Sequence, residues 1–140
     1  MSPTSITAGM HLPQAGPAAS GDSITQVAQL AEELGFADIW VSDHLVIPSN
    51  AKYPPSAYIY EPLAVMAWVA AKTSKIRIGT TVLVLPLRNP IVVAKSLASI
   101  DQLSEGRIIL GTAAGWLKEE FDALGVPFEE RGKRTDEALE

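Results

Sequence analysis

Asp43 and His44 stand side by side where an apolar run, residues 37–41, gives out, and Pro48 closes the segment after them. The chain has two histidines in all, His11 and His44. A carboxylate beside an imidazole at such a point has two readings. It is a pair of ionisable groups at a site, or it is a turn in which the carboxylate caps a backbone N–H. Other polar groups fall at comparable places: His11 after an earlier apolar run, Thr80 and Thr81 inside a later one, and Thr112 to Gly115 after the last. Much chemistry is excluded. No H-x-H or H-E-x-x-H spacing occurs, and two separated histidines make a thin ligand set, so no metal site is expected. There is no G-x-S-x-G elbow. "GTAAG" is not G-x-G-x-x-G, and no Walker A lysine is present. His11 reads as a rim histidine satisfied by neighbours, and Glu61-Pro62 as a helix start. Trp116 and Phe121 read as packing residues. Arg131, Lys133 and Arg134, with Glu129, Glu130 and Asp136, read as a solvated face.

Four strand-like runs, each followed by a helical pattern, must position these groups. The first run is residues 5–13. Asp22 or Ser23 is the expected cap of the helix after it, in which Ile24, Val27, Ala28, Ala31 and Leu34 share a face and Gly35 ends the turn. Residues 37–43 form the second run. The loop from residue 44 to 61 is too long for a plain connection and is expected to be functional or disordered. A helix from Pro62 sets Leu63, Met66, Ala67 and Ala70 on one side. The third run, residues 75–86, is rich in β-branched side chains. A helix near Asn89-Pro90 follows, with Val93, Leu97, Ile100 and Leu103 in a stripe. The fourth run, residues 106–115, leads into a helix near Trp116 and then a further helix.

Strand–helix alternation with apolar, non-alternating strands implies a parallel sheet buried on both faces. A (β/α)8 TIM barrel needs about 250 residues. The expected fold is therefore α/β, the first four βα units of such a barrel, truncated inside "DEALE". Residues 1–140 are read as the incomplete N-terminal half of that domain. A small doubly wound sheet and a half-barrel that dimerises are the alternatives. In parallel sheets of either kind ligands sit at the carboxyl ends of the strands, which is where Asp43 and His44 fall.

The net charge of −5 and pI near 5.0 argue against nucleic-acid or membrane-surface partners, which would want a basic face. With no cysteine, disulfides and thiolate metal sites are excluded, and a cytoplasmic location is expected.

The segments "GFADIWVSDHLVIP", "EPLAVMAWVAAKTSKIRIGTTVLVLPLRNPIVVAKSLASIDQLSEGRIILG" and "GWLKEEFDALGVPFEERGKRTDEALE" resemble the bacterial luciferase-like flavin monooxygenase superfamily, most closely its coenzyme F420-dependent oxidoreductase branch. The resemblance implies a (β/α)8 barrel of about twice this length. It places Asp43 and His44 beside the reactive face of a flavin or deazaflavin ring, with His44 as acid or base and Asp43 as its orienting partner or a ring contact. It matches Thr81-Val82 to a non-prolyl cis peptide behind the ring, lets Thr80 and Thr81 present hydroxyl or backbone groups to the ring edge, and puts Thr112, Ala113, Ala114 and Gly115 on the rim. The cofactor implied is coenzyme F420, with FMN the alternative. The activity implied is hydride transfer to or from a small organic substrate, or O₂ activation if FMN is the cofactor, in a homodimer when complete. A non-catalytic half-barrel that binds a partner is the remaining reading. Two departures stand out: Ala113 and Ala114 where a second glycine is common, and Trp116 where sugar-phosphate-oxidising relatives carry an acidic glutamate. Loops after strands seven and eight, which hold the cofactor phosphate in this fold, lie outside the sequence.

Overall fold

The computed structural model describes residues 6–140 apart from residues 52, 55 and 57, so Ser5 at the start of the first apolar run lies outside the described residues. The strands and helices alternate as β1 (Gly9–His11), α1 (Gly21–Glu33), β2 (Asp38–Val41), α2 (Pro62–Ala70), β3 (Arg77–Thr80), β4 (Leu83–Val84), α3 (Pro90–Leu103), β5 (Ile108–Ile109), β6 (Thr112–Ala113), α4 (Lys118–Ala123) and α5 (Arg131–Leu139). β1, β2, β3 and β5 form one parallel sheet in that order, and β4 pairs with β6 in parallel beside it. The third and fourth apolar runs are therefore each broken in two. The break in the third falls at Thr81–Val82, whose peptide bond is cis, as the resemblance implied.

Strand side chains alternate between faces. Ile39, Val41 and Ile78 turn outward and meet Ile24, Ala28, Ala31, Met66, Val69 and Ile100 of the surrounding helices, which makes the main core. On the inner face Trp40 lies across two neighbouring strands. A Cβ at Gly79 would sit 2.4 Å from Trp40 Cζ3, and one at Gly9 would sit 2.3 Å from Trp40 Nε1. Those two glycines are what let the indole lie flat.

Several sequence expectations shift. The cap of α1 is Ser20 rather than Asp22 or Ser23. Its side chain accepts from Ser23 N–H, and the Ser23 hydroxyl accepts from Ser20 N–H, a reciprocal capping box. Gly35 ends the helix with φ +79°, as expected. Leu34 and Leu103 are not on buried faces. Each sits at its helix's last turn, beyond the reach of the core, and they are 66% and 85% exposed. In α2 the buried side is Pro62, Val65, Met66 and Val69, and Ala67 faces outward. Every residue of that helix is apolar, so periodicity could not set its phase. No helix among the described residues is long and apolar enough to cross a membrane.

Candidate active site

A cleft of about 650 Å³ opens at the carboxyl ends of the strands. Its walls come in chain order: His11 at the end of β1 and Gln14 beyond it, Ser42, Asp43 and His44 after β2, Thr81 and Val82 at the break after β3, and Ala113 to Trp116 from the end of β6 onward. Glu120 from α4 and Arg131 from α5 complete it.

Asp43 and His44 reach opposite sides, because consecutive side chains of an extended segment alternate. Asp43 is 4% exposed and turns beneath β4. Its Oδ2 accepts from Val84 N–H at 2.9 Å, and Arg88 Nη2 donates to Oδ1 at 2.7 Å. Arg88 Nη1 lies 2.8 Å from Glu61 Oε1, so one guanidinium ties Asp43, just past β2, to the start of α2. Burial pushes the Asp43 carboxyl above its ordinary value, against the pull of Arg88 and of the Val84 N–H. Burial alone would lower Arg88, but Asp43 and Glu61 outweigh it and hold the guanidinium up. Asp43 is thus not the orienting partner of His44. Glu61 does cap α2, accepting from Ala64 N–H at 2.8 Å, and it is also part of this buried ion cluster.

The partner of His44 is Glu120. His44 Nδ1 lies 3.2 Å from Glu120 Oε2, while Glu120 Oε1 accepts from the backbone N–H groups of Leu45 and, at 3.0 Å, Val46. Burial would raise the Glu120 carboxyl, but these hydrogen bonds outweigh it and hold it below the ordinary carboxylate value. The rings of Trp116 and His44 meet nearly at right angles, centroids 5.9 Å apart and planes at 85°, and Tyr53 also packs against the indole, centroids 5.9 Å apart. Trp116 therefore lines the cleft, half-exposed, whereas Phe121 is fully buried as expected. Arg131 is not part of a solvated face. Its guanidinium stacks 4.0 Å over Phe128 and borders the cleft.

On the opposite wall His11 Nδ1 is 3.0 Å from Leu12 O and Nε2 is 2.8 Å from Ser42 Oγ, which in turn donates to Thr81 O at 3.2 Å. Buried Gln14 fixes this wall. It accepts from Ser42 N–H and donates to the carbonyls of Ser42 and Tyr60.

Of the rim residues expected from sequence, Thr81, Val82, Ala113, Ala114 and Gly115 line the cleft. Thr80 and Thr112 do not. The Thr80 hydroxyl, 1% exposed, donates to Gly111 O and accepts from Gly111 N–H. That of Thr112 donates to Leu83 O, so both hydroxyls close the gaps left by the broken strands. Gly115 adopts φ +82°, and a Cβ there would strike Val84 and Phe121. Sequence reasoning missed Glu120, Arg88, Ser42 and Gln14. For Glu120 a signal was present: it shares an i, i+3, i+4 face with Leu117 and Phe121, an acidic group on a buried stripe.

The chain is 40% identical over 113 residues to the F420-dependent glucose-6-phosphate dehydrogenase of Kineococcus radiotolerans, covering 79% of this chain and 32% of that protein. It overlays the monooxygenase RslO1 of Streptomyces bottropensis with a TM-score of 0.79 at 28% identity, over 96% of this chain and 41% of that one. It also overlays the coenzyme F420-dependent tetrahydromethanopterin reductase of Methanopyrus kandleri with a TM-score of 0.67 at 28% identity, over 89% of this chain and 31% of that one. The chain thus spans about a third to under a half of the length of the relatives it matches. Because the profile of the luciferase-like monooxygenase family matches residues 1–140, and the strand-end cleft sits on four consecutive parallel βα units, the protein belongs to the luciferase-like monooxygenase family.

Proposed function

We propose that the cleft is part of the active site of an F420-dependent oxidoreductase that transfers hydride between the deazaflavin and a small organic substrate. The observation that carries this reading is an imidazole facing a strand-end cleft, held from behind by a buried carboxylate. The cleft suits a flat ring with a polar edge. Its volume lies within the roughly 300–1,000 Å³ of small-molecule sites, and Val82, Ala113 and Ala114 give a shallow apolar surface. His44, Ser42 and Arg131 supply polar groups around it.

When bound, the deazaflavin supplies a carrier of two electrons as hydride. The residues of this chain do the rest. His44 takes up or delivers the accompanying proton at Nε2, which has no hydrogen-bond partner among the described residues. Thr81 and Val82 back the ring, and Trp116 restricts water on the His44 side. Asp43 acts at one remove, by fixing the strand ends. The indole at position 116 offers no acid, so sugar phosphates are not the proposed substrates. A cytoplasmic homodimer is the proposed working form.

Two experiments test this. Titrating the protein with F420 and with FMN, followed by absorbance, is expected to show F420 binding; retention of FMN but not F420 would overturn the cofactor assignment. His44→Ala is expected to lower kcat/KM by about 10²–10⁴-fold and remove one limb of its pH profile. Unchanged turnover and profile would remove His44 from the reaction. The second reading, an FMN-dependent monooxygenase, is favoured by the closer overlay on RslO1 than on the F420-dependent reductase.

A further inference from the structure

We infer that Glu120 is the positioning residue that decides which nitrogen of His44 carries its hydrogen, and therefore which kind of atom His44 offers to the cleft. The inference deepens the proposed role of His44 and rests on it for its functional meaning, but the geometry behind it is independent of any cofactor.

The Glu120 side chain is 2% exposed and uses both oxygens. Oε1 takes two backbone N–H groups, from Leu45 and Val46, and Oε2 faces His44 Nδ1. An ionised carboxylate only accepts hydrogen bonds. Nδ1 must therefore carry the hydrogen, and in the neutral ring the bare, basic nitrogen is Nε2 on the cleft side. Trp116 packs against the same ring with its plane nearly perpendicular and opposes its rotation. Asp43, the neighbour in sequence, takes no part, since its oxygens are engaged by Val84 and Arg88.

The two N–H groups on Oε1 make one substitution decisive. In Glu120→Gln the side chain keeps its shape. Leu45 and Val46 still need an acceptor, so the amide oxygen must occupy the Oε1 position. The amide NH₂ then falls where Oε2 was and donates to Nδ1. His44 loses its hydrogen there and carries it on Nε2 instead. The atom facing the cleft changes from acceptor to donor while the anchoring of the segment after β2 is retained. A purely structural role for Glu120 would leave the tautomer unmoved.

The chain has only two histidines, so the test is direct. Long-range ¹H–¹⁵N spectra of the labelled protein, taken well above neutral pH, report the tautomer of each ring, and His11→Gln assigns the pair. The wild-type protein is expected to show His44 with hydrogen on Nδ1, and Glu120→Gln with hydrogen on Nε2. A wild-type ring with hydrogen on Nε2 overturns the inference even if the variant does not fold, and so does the same tautomer in both proteins. Activity then separates the two levels. A tautomer switch with a large fall in kcat and little change in KM supports both. A tautomer switch with unchanged turnover upholds Glu120 as the residue that sets the tautomer and overturns His44 as the acid–base group.

Discussion

Asp43→Asn keeps an acceptor for Val84 N–H but removes the charge opposite Arg88, leaving that buried guanidinium with Glu61. Stranding one member of a buried pair costs about 3–5 kcal/mol, but burial already disfavours the Asp43 charge and Glu61 still faces Arg88, so the expected loss, read from the urea midpoint, falls well below that range. His44 binding chemistry should persist in whatever fraction remains folded. Acid acts through other residues. Glu120 and Glu32 both sit below the ordinary carboxylate value, Glu32 because hydrogen bonds from Ile76, Lys75 and Ser74 outweigh its desolvation. For such groups the folded state binds fewer protons than the unfolded one. Their contribution is complete above the ordinary carboxylate value and is lost as pH falls through their folded-state values. Asp43 runs the other way, its contribution growing as pH falls. Far-UV circular dichroism is expected to show unfolding on acidification below the ordinary carboxylate range. Glu120→Gln, which lacks this contribution at every pH, is expected to be less stable at neutral pH, to begin unfolding no later than wild type, and to show a shallower dependence of stability on pH. At this scale the sequence showed where His44 would lie, because a strand end is a topological position. It could not show the partner, which is 76 residues away.

Between elements, the seam that decides most is the contact of Trp40 with its flanking glycines. Gly79→Ala forces a methyl group onto the indole, for which overpacking costs of about 1–3 kcal/mol are usual. Trp40→Leu removes the obstructing ring, so the double variant is expected to be more stable than the sum of the two single losses predicts, as thermal melts would reveal. Strand and helix order was legible from the alternation of apolar runs with helical stripes. The ends of the elements were not. β3 and β5 give way to β4 and β6 where Thr80 and Gly111 exchange side-chain and backbone hydrogen bonds across the sheet, and no local residue preference encodes an exchange between segments 31 residues apart. α2 shows the same limit differently: with no polar side to contrast against, only its neighbours define which face is inner.

For the whole molecule, β1 and β5 are the two outer strands of the sheet and each has one partner among the described residues. Unpaired strand edges are templates for association. The 140-residue polypeptide expressed by itself is expected to associate as concentration rises, followed by sedimentation velocity. A monomer at every concentration with cooperative unfolding would count against the reading of a partner-binding half-barrel. The parallel barrel architecture was legible in the repeat of four βα units. The lining of the cleft was legible only in part, because residues from α4 and α5 join it through tertiary packing that no motif announces.

The half-exposed indole of Trp116 beside His44 makes the cleft optically addressable. Trp68 is also exposed but lies on α2, away from the cleft lining, while Trp40 is folded against the sheet. A ligand that fills the cleft should shield Trp116 from iodide quenching and leave exposed Trp68 as an internal standard. Occupancy can then be followed by steady-state fluorescence with no dye and no turnover, for any compound small enough to enter.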